Sequence, residues 1–211
     1  MWFCLFLSQT LNLPLTMILY FDTETTGLRP GQIAQLSYVM QTDKGDMAKN
    51  FFFTVDSMDY GAFMVHGFSV EKLKSLSCGK RFRDHFDEIE IDFNSADLIV
   101  CHNTAFDFMF MRAEFSRLNK VFYVKNEFCT MKGLTSVCKL LRSSGAYKYP
   151  KLSEACAYFN INNCEIQSVS KQFFGSVADF HDARFDTTAL YLVANFAMER
   201  EDSIKEIKKY L

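Results

Sequence analysis

Residues Met17 to Phe21 form an unbroken apolar run that leads straight into Asp22-Thr23-Glu24. A short run that is apolar at every position fits a buried strand. Side chains repeat every two residues along a strand, so Asp22 and Glu24 project to the same side. Carboxylates at the end of a buried strand are costly to desolvate, and bound cations would offset that cost. This one segment therefore asks for a layered fold with a sheet inside it and an acidic site at the end of its strand.

The remaining elements follow from periodicity. Gln32 to Thr42 alternates loosely and suits a second strand, Asp43-Lys44-Gly45-Asp46 reads as a turn, and Met47 to Val55 suits a third. These three form a meander. Phe82, Phe86, Ile89 and Phe93 make an amphipathic helical stripe, and Asp97 to Cys101 reads as a short strand. Helices are expected over Ala105–Leu118, Met131–Leu141 and Leu152–Phe159, and along the stripe Phe185, Ala189, Leu192, Phe196. Strands first, then a strand among helices, predict an α/β fold with a central mixed sheet flanked by helices. At 211 residues the chain is long enough for one domain, which would bury roughly 70% of its unfolded surface without a staple.

Two further acidic blocks follow the first, His102-Asn103-Thr104-Ala105-Phe106-Asp107 and His181-Asp182-Ala183-Arg184-Phe185-Asp186. Asp22, Glu24, Asp107 and Asp186 are oxygen donors suited to hard divalent cations such as magnesium or manganese. Two such cations roughly 3.5–4 Å apart can activate a water and stabilise a leaving oxygen. His181 lies five residues before Asp186. On one helix that spacing would leave the two about 140° apart. His181 is therefore expected on the loop before the helix, where an imidazole could take a proton from water. Asp182 competes with Asp186 for the metal role, and a helix cap is the preferred reading for it. Asn103 equally suits a helix cap.

Charge is unevenly spread. From Arg112 to Lys151 nine basic residues face two acids, a net +7, which leaves −9 on the remainder of a chain whose total is −2. The basic stretch reads either as a solvated helix face or as a track for a polyanionic backbone. The seven cysteines, odd in number and without a C-x-x-C pair, read as small buried hydrophobes in a reducing, cytoplasmic setting, and no zinc spacing occurs. The apolar stretch Trp2–Leu7 is far shorter than the roughly 20 residues of a membrane span, so no membrane association is expected.

Taken together, FDTETTGL at residues 21–28, HNTAFD at 102–107 and HDARFD at 181–186 resemble the three motifs of the DnaQ-like, DEDDh group of 3′–5′ exonucleases. That group includes the proofreading exonuclease subunits of bacterial replicative polymerases. The resemblance spans roughly Met17 to Met198, and Lys151-Leu152-Ser153-Glu154 resembles the segment such enzymes carry between motifs two and three. It implies an RNase H-like fold, two magnesium or manganese ions, and release of nucleoside 5′-monophosphates from a 3′ end. It also implies that Asp22, Glu24, Asp107 and Asp186 are metal ligands, with His181 as general base. Leu28 would wedge against the terminal base, and Thr23 and Gly27 would offer backbone contacts. His66, Asn103 and Phe106 would lie beside the terminal nucleotide. The implied partner is single-stranded or 3′-terminal nucleic acid, with a polymerase as a further partner by analogy. Glu199–Leu211 reads only as a charged helical end.

DNA is the first expectation for the polymer. An exoribonuclease is the alternative, since discrimination rests on contacts to the 2′ hydroxyl. A catalytically inactive binding module is the third reading, but none of the metal carboxylates is missing. Met17 stands directly before the first strand, which suggests a natural start there, with residues 1–16 an extension and 17–211 a single domain. The intact mass of the native protein checks this; a mass that begins at Met1 contradicts it.

Overall fold

The computed structural model describes residues 17–207; the extension at 1–16 lies outside them. The meander is formed by β1 (Met17–Thr25), β2 (Ile33–Thr42) and β3 (Gly45–Phe52). Three helices follow, α1 (Tyr60–His66), α2 (Val70–Leu76) and α3 (Phe86–Ser95). Then come β4 (Leu98–Cys101), α4 (Thr104–Arg117) and β5 (Glu127–Cys129). The last part is helical: α5 (Leu152–Tyr158), α6 (Asn163–Phe174), α7 (Ala183–Glu199) and α8 (Glu201–Ile207).

The sheet order is β3-β2-β1-β4-β5, with β1 central. It is mixed: β1 runs antiparallel to β2 and parallel to β4, and β4 runs parallel to β5. The central position explains the apolar run, because Ile18, Leu19, Tyr20 and Phe21 are all buried. Phenylalanines pack the layer over it. The rings of Phe21 and Phe93 meet edge to face at 5.2 Å, and Phe108 and Phe115 both pack on Phe122.

Several expected elements differ in extent. The third strand stops at Phe52, although Phe53 and Val55 beyond it stay buried. The helix expected over Met131–Leu141 is two single turns, Thr130–Gly133 and Thr135–Cys138, ended by Lys139 in the left-handed region. Gly133 is part of the reason: a Cβ there would lie 2.4 Å from the Phe128 ring, so the site requires the residue that least supports a helix. Helices α1, α2 and α6 were not expected. Six cysteines among the described residues are free, and Cys101, Cys129, Cys138 and Cys156 are buried, as small hydrophobes would be. Among the described residues no helix is long and apolar enough to cross a membrane.

Two features of this fold position the acidic blocks. The pairing of β1 with β4 ends at Tyr20–Val100, so Asp22 to Glu24 run past β4 beside the start of α4. The second feature is Gln35, fully buried on β2 opposite Glu24. Its Oε1 accepts from the Ala183 backbone N–H at 3.1 Å, and its Nε2 donates to Asp182 Oδ1 at 2.9 Å and to Asn50 Oδ1 at 2.8 Å. One buried amide thus fixes the first turn of α7 to the sheet. Gln35→Leu strands the Ala183 N–H and takes one donor from Asp182, which keeps Arg184, and is expected to destabilise the fold by about 1–3 kcal/mol. Urea denaturation checks this; an unchanged midpoint and slope would contradict the role.

Candidate active site

The three blocks converge. Asp22 and Glu24 come from β1, and Asp186 from the first turn of α7. One carboxylate oxygen from each lies within 4.8 Å of the others. Asp107, in the first turn of α4, is buried next to this group but outside it; its Oδ1 accepts from the Thr23 hydroxyl at 2.8 Å. The structure thus gathers three of the four expected ligands and holds the fourth through the residue between Asp22 and Glu24.

The carboxyls are under electrostatic stress. Burial first, and then the charges of Asp107, Asp186, Glu24 and Asp182, push Asp22 well above the ordinary carboxylate range. Burial, Asp186, Asp182 and Asp107 push Glu24 up to about 9. Burial raises Asp107 to about 7 against the opposing Thr23 hydroxyl, and raises Asp186 to about 7 against the His181 N–H. A cluster of buried carboxyls that resists ionisation without a counter-charge is suited to an oxygen-ligated cation.

Asp182 behaves differently. Burial alone would raise it, but the Arg184 side chain and Gln35 hold it below the usual carboxylate range. Arg184 donates through Nε at 2.8 Å and Nη2 at 2.6 Å, and the Arg184 backbone N–H donates to the same carboxylate. Asp182 is the N-cap of α7, as expected, and its oxygens are committed. Asp186 is left as the group facing β1.

His181 lies on the loop before α7 in a left-handed backbone conformation (φ 61°). Its backbone N–H donates to Asp186 Oδ2 at 3.2 Å, and its side chain is exposed. It borders a cavity of about 240 Å³ that is also lined by Asp22, Asp186, His102 and Lys151. His102 serves as a tether. Its Nε2–H donates to Pro150 O at 3.0 Å and its Nδ1 bonds the Thr130 hydroxyl at 2.9 Å, while burial pushes it down to about 4. The imidazole is neutral and joins the end of β4 to the chain entering α5.

A larger cavity of about 580 Å³ opens beside the carboxylates, lined by Thr23, Glu24, Gly27, Leu28, His66 and Phe106 among others. Leu28 is 84% exposed at its rim, an unusual position for a leucine. Gly27 is required by packing, since a Cβ would lie 2.1 Å from Asp59 Oδ2. His66 is buried, with Nε2 bonded to Thr25 O and Nδ1 accepting from the Phe68 N–H. It offers the cavity a ring face and no spare nitrogen. Asn103 is the N-cap residue of α4 (φ 88°); its side chain caps nothing and it borders neither cavity. Gln35, His102, Lys151 and Asp59 are site neighbours without an assigned role in the motif reading. A buried glutamine inside an apolar strand was the one readable signal among them.

A mixed sheet flanked by helices, with carboxylates where its central strand outruns a parallel neighbour, defines an RNase H-like domain with an acidic site. No protein-family model matches the chain. It is similar to the DNA polymerase III subunit epsilon of Rickettsia felis, with 26% identity over 164 residues, 75% of this chain and 66% of that protein. The epsilon subunit of Escherichia coli is 28% identical over 159 residues, 71% of this chain and 63% of its own length. In structure the chain is similar to Escherichia coli exonuclease I in complex with a dT13 oligonucleotide. That match has a TM-score of 0.70 at 16% identity and covers 89% of this chain and 42% of that one. The chain thus spans about two thirds of the curated relatives and less than half of the structural one. It is similar to the DnaQ-like exonucleases, and in sequence it resembles their polymerase III epsilon subunits.

The stressed carboxyls predict a dependence on pH and metal. Their folded pKa values lie above the unfolded values of 3.8 and 4.5. Protonation therefore favours the folded state, and that contribution is lost progressively as pH rises from the unfolded values, with completion at about 7 for Asp107 and Asp186 and about 9 for Glu24. In chelator, Tm is expected to fall across that range, and magnesium or manganese is expected to restore it, most strongly at the alkaline end. Thermal melts measure this; a Tm indifferent to both cations at every pH would contradict cation binding.

Proposed function

We propose that the chain is a metal-dependent 3′–5′ exonuclease that hydrolyses DNA from its 3′ end and releases nucleoside 5′-monophosphates. The observation that carries this reading is the group of Asp22, Glu24 and Asp186 within 4.8 Å, with His181 on the adjoining loop. These three carboxylates would hold two divalent cations, magnesium or manganese, and Asp107 would complete the ligand set from its place against Thr23. Bound cations supply Lewis acidity at the phosphodiester.

The residues around them divide the remaining work. His181 takes the proton from the attacking water as its oxygen bonds to phosphorus and the bond to the 3′ oxygen breaks. Exposed, and tied to Asp186 only through its backbone, its imidazole is free to turn to that water. The larger cavity receives the terminal nucleotide. Leu28 wedges beside the base, and Phe106 and the face of His66 supply flat contacts that tolerate any base. Thr23 and the bare Cα of Gly27 let the backbone of the first motif approach closely, while Asn103, which borders neither cavity, has no contact in this reading. Single-stranded 3′ ends are the substrate this cavity fits, in keeping with the oligonucleotide held by the exonuclease I neighbour. Similarity to epsilon subunits makes a replicative polymerase the partner to test first.

A 3′-labelled single strand, as DNA and as RNA, tests the reading with magnesium or manganese and with chelator. DNA is expected to be trimmed only with metal. Asp22→Ala is expected to reduce trimming to background while the fold is retained. His181→Ala is expected to lower the rate by roughly 10²–10⁴-fold with binding little changed. Metal-dependent trimming that survives in Asp22→Ala would refute the assignment, and preference for RNA would move the substrate to the exoribonuclease reading.

A further inference from the structure

Seven of the nine basic residues in the basic stretch fall into two groups. Lys120 and Lys125 pair with Glu90 and Asp97, and Arg117 pairs with Glu114; these belong to the solvated surface around α4. The segment 139–151 is different. It contains Lys139, Arg142, Lys148 and Lys151 and no acid, together with Tyr147 and Tyr149. It folds back on itself: Leu141 and Tyr147 form an antiparallel bridge, Arg142 N–H donates to Ala146 O, and Lys148 N–H donates to Leu140 O.

Burial alternates along its returning limb. Lys148 turns inward to Glu154 and Pro150 is buried, with its carbonyl held by His102. Tyr147, Tyr149 and Lys151 turn outward, the two tyrosines 48% and 51% exposed. Period-two alternation puts these three on one side. The row ends at the catalytic carboxylates, because Lys151 lines the same cavity as Asp22, His181 and Asp186. Two exposed aromatic rings in an acid-free basic arm, leading into a site that would bind a phosphodiester, have the chemistry of a single-strand platform. Rings stack on unpaired bases whatever their identity, and the cations follow the backbone.

Resting on the exonuclease reading above, we propose that the 139–151 arm binds the single strand upstream of the scissile bond. Tyr147 and Tyr149 stack on successive bases, and Lys139, Arg142 and Lys151 line the phosphates. The partner is single-stranded nucleic acid; a base-paired strand keeps its bases stacked within the duplex and gives the tyrosines nothing to hold.

Binding of fluorescent thymidine strands of about four and about twelve nucleotides, a range that brackets known single-strand site sizes, tests this by anisotropy in chelator. The wild type is expected to gain affinity with length. In Tyr147→Ala/Tyr149→Ala that gain is expected to shrink by roughly fivefold to a hundredfold per ring. Tyr147→Phe/Tyr149→Phe, which keeps the rings, is expected to restore it. A length gain unchanged in the alanine variant overturns the platform, as does one not rescued by phenylalanine, or an equal loss on a blunt duplex. The exonuclease reading is decided apart from this, by whether the wild type trims the same strands when metal is added. Binding that depends on the tyrosines without trimming would sink that reading and leave the platform standing.

Discussion

Burial of Asp22, Glu24, Asp107 and Asp186 side by side, with mutual repulsion added at Asp22 and Glu24, is the constraint around which the chain is built. Like charges at this range, away from bulk water, oppose the folded state unless a proton or a cation intervenes. The scaffold holding them is accordingly stiff. Asp22 and Glu24 are fixed by the central strand, which has a partner on each side up to the point where they begin. Asp107 is turned by the Thr23 hydroxyl, and Asp186 is carried on a helix whose first turn is bolted to β2 by Gln35. The aromatic layer behind β1 supplies the burial that makes this arrangement affordable.

The same physics separates two neighbouring aspartates on one helix turn. Asp182 and Asp186 come from one short motif, yet one lies below the usual carboxylate range and the other above it. The difference lies in their partners: Arg184 and Gln35 saturate the first, and the second is left to face β1. A cap and a candidate ligand are thus sorted by their hydrogen-bond partners and not by their spacing.

Much of this was legible in the sequence where short-range periodicity governs. The apolar run before Asp22, the side-chain parity of Asp22 and Glu24, the loop position of His181 and the cap role of Asp182 all follow from local geometry. What was hidden depends on contacts between distant segments. Asp107 turns toward Thr23 across 84 residues, and Gln35 reaches Asp182 across 147. The helix expected over Met131–Leu141 is interrupted at Leu134 and stops at Cys138, and Gly133, which fits against Phe128, is part of the reason. Helix α6 was readable although not expected: Ile166, Val169 and Phe173 fall at i, i+3 and i+7 behind the Asn162 cap.

The neutral tether at His102 has a consequence for how such a domain could be controlled. Its imidazole, held near 4, keeps the same protonation across the range in which the carboxyls change theirs. The attachment of the 139–151 arm is therefore mechanically constant while the acidic centre gains or loses charge. On the proposed readings, grip and cleavage would rest on different physical variables: one on aromatic surface and a fixed joint, the other on the ionisation of a crowded cluster. Acidity or metal scarcity would idle the second and leave the first engaged, a domain parked on its strand with the blade withdrawn.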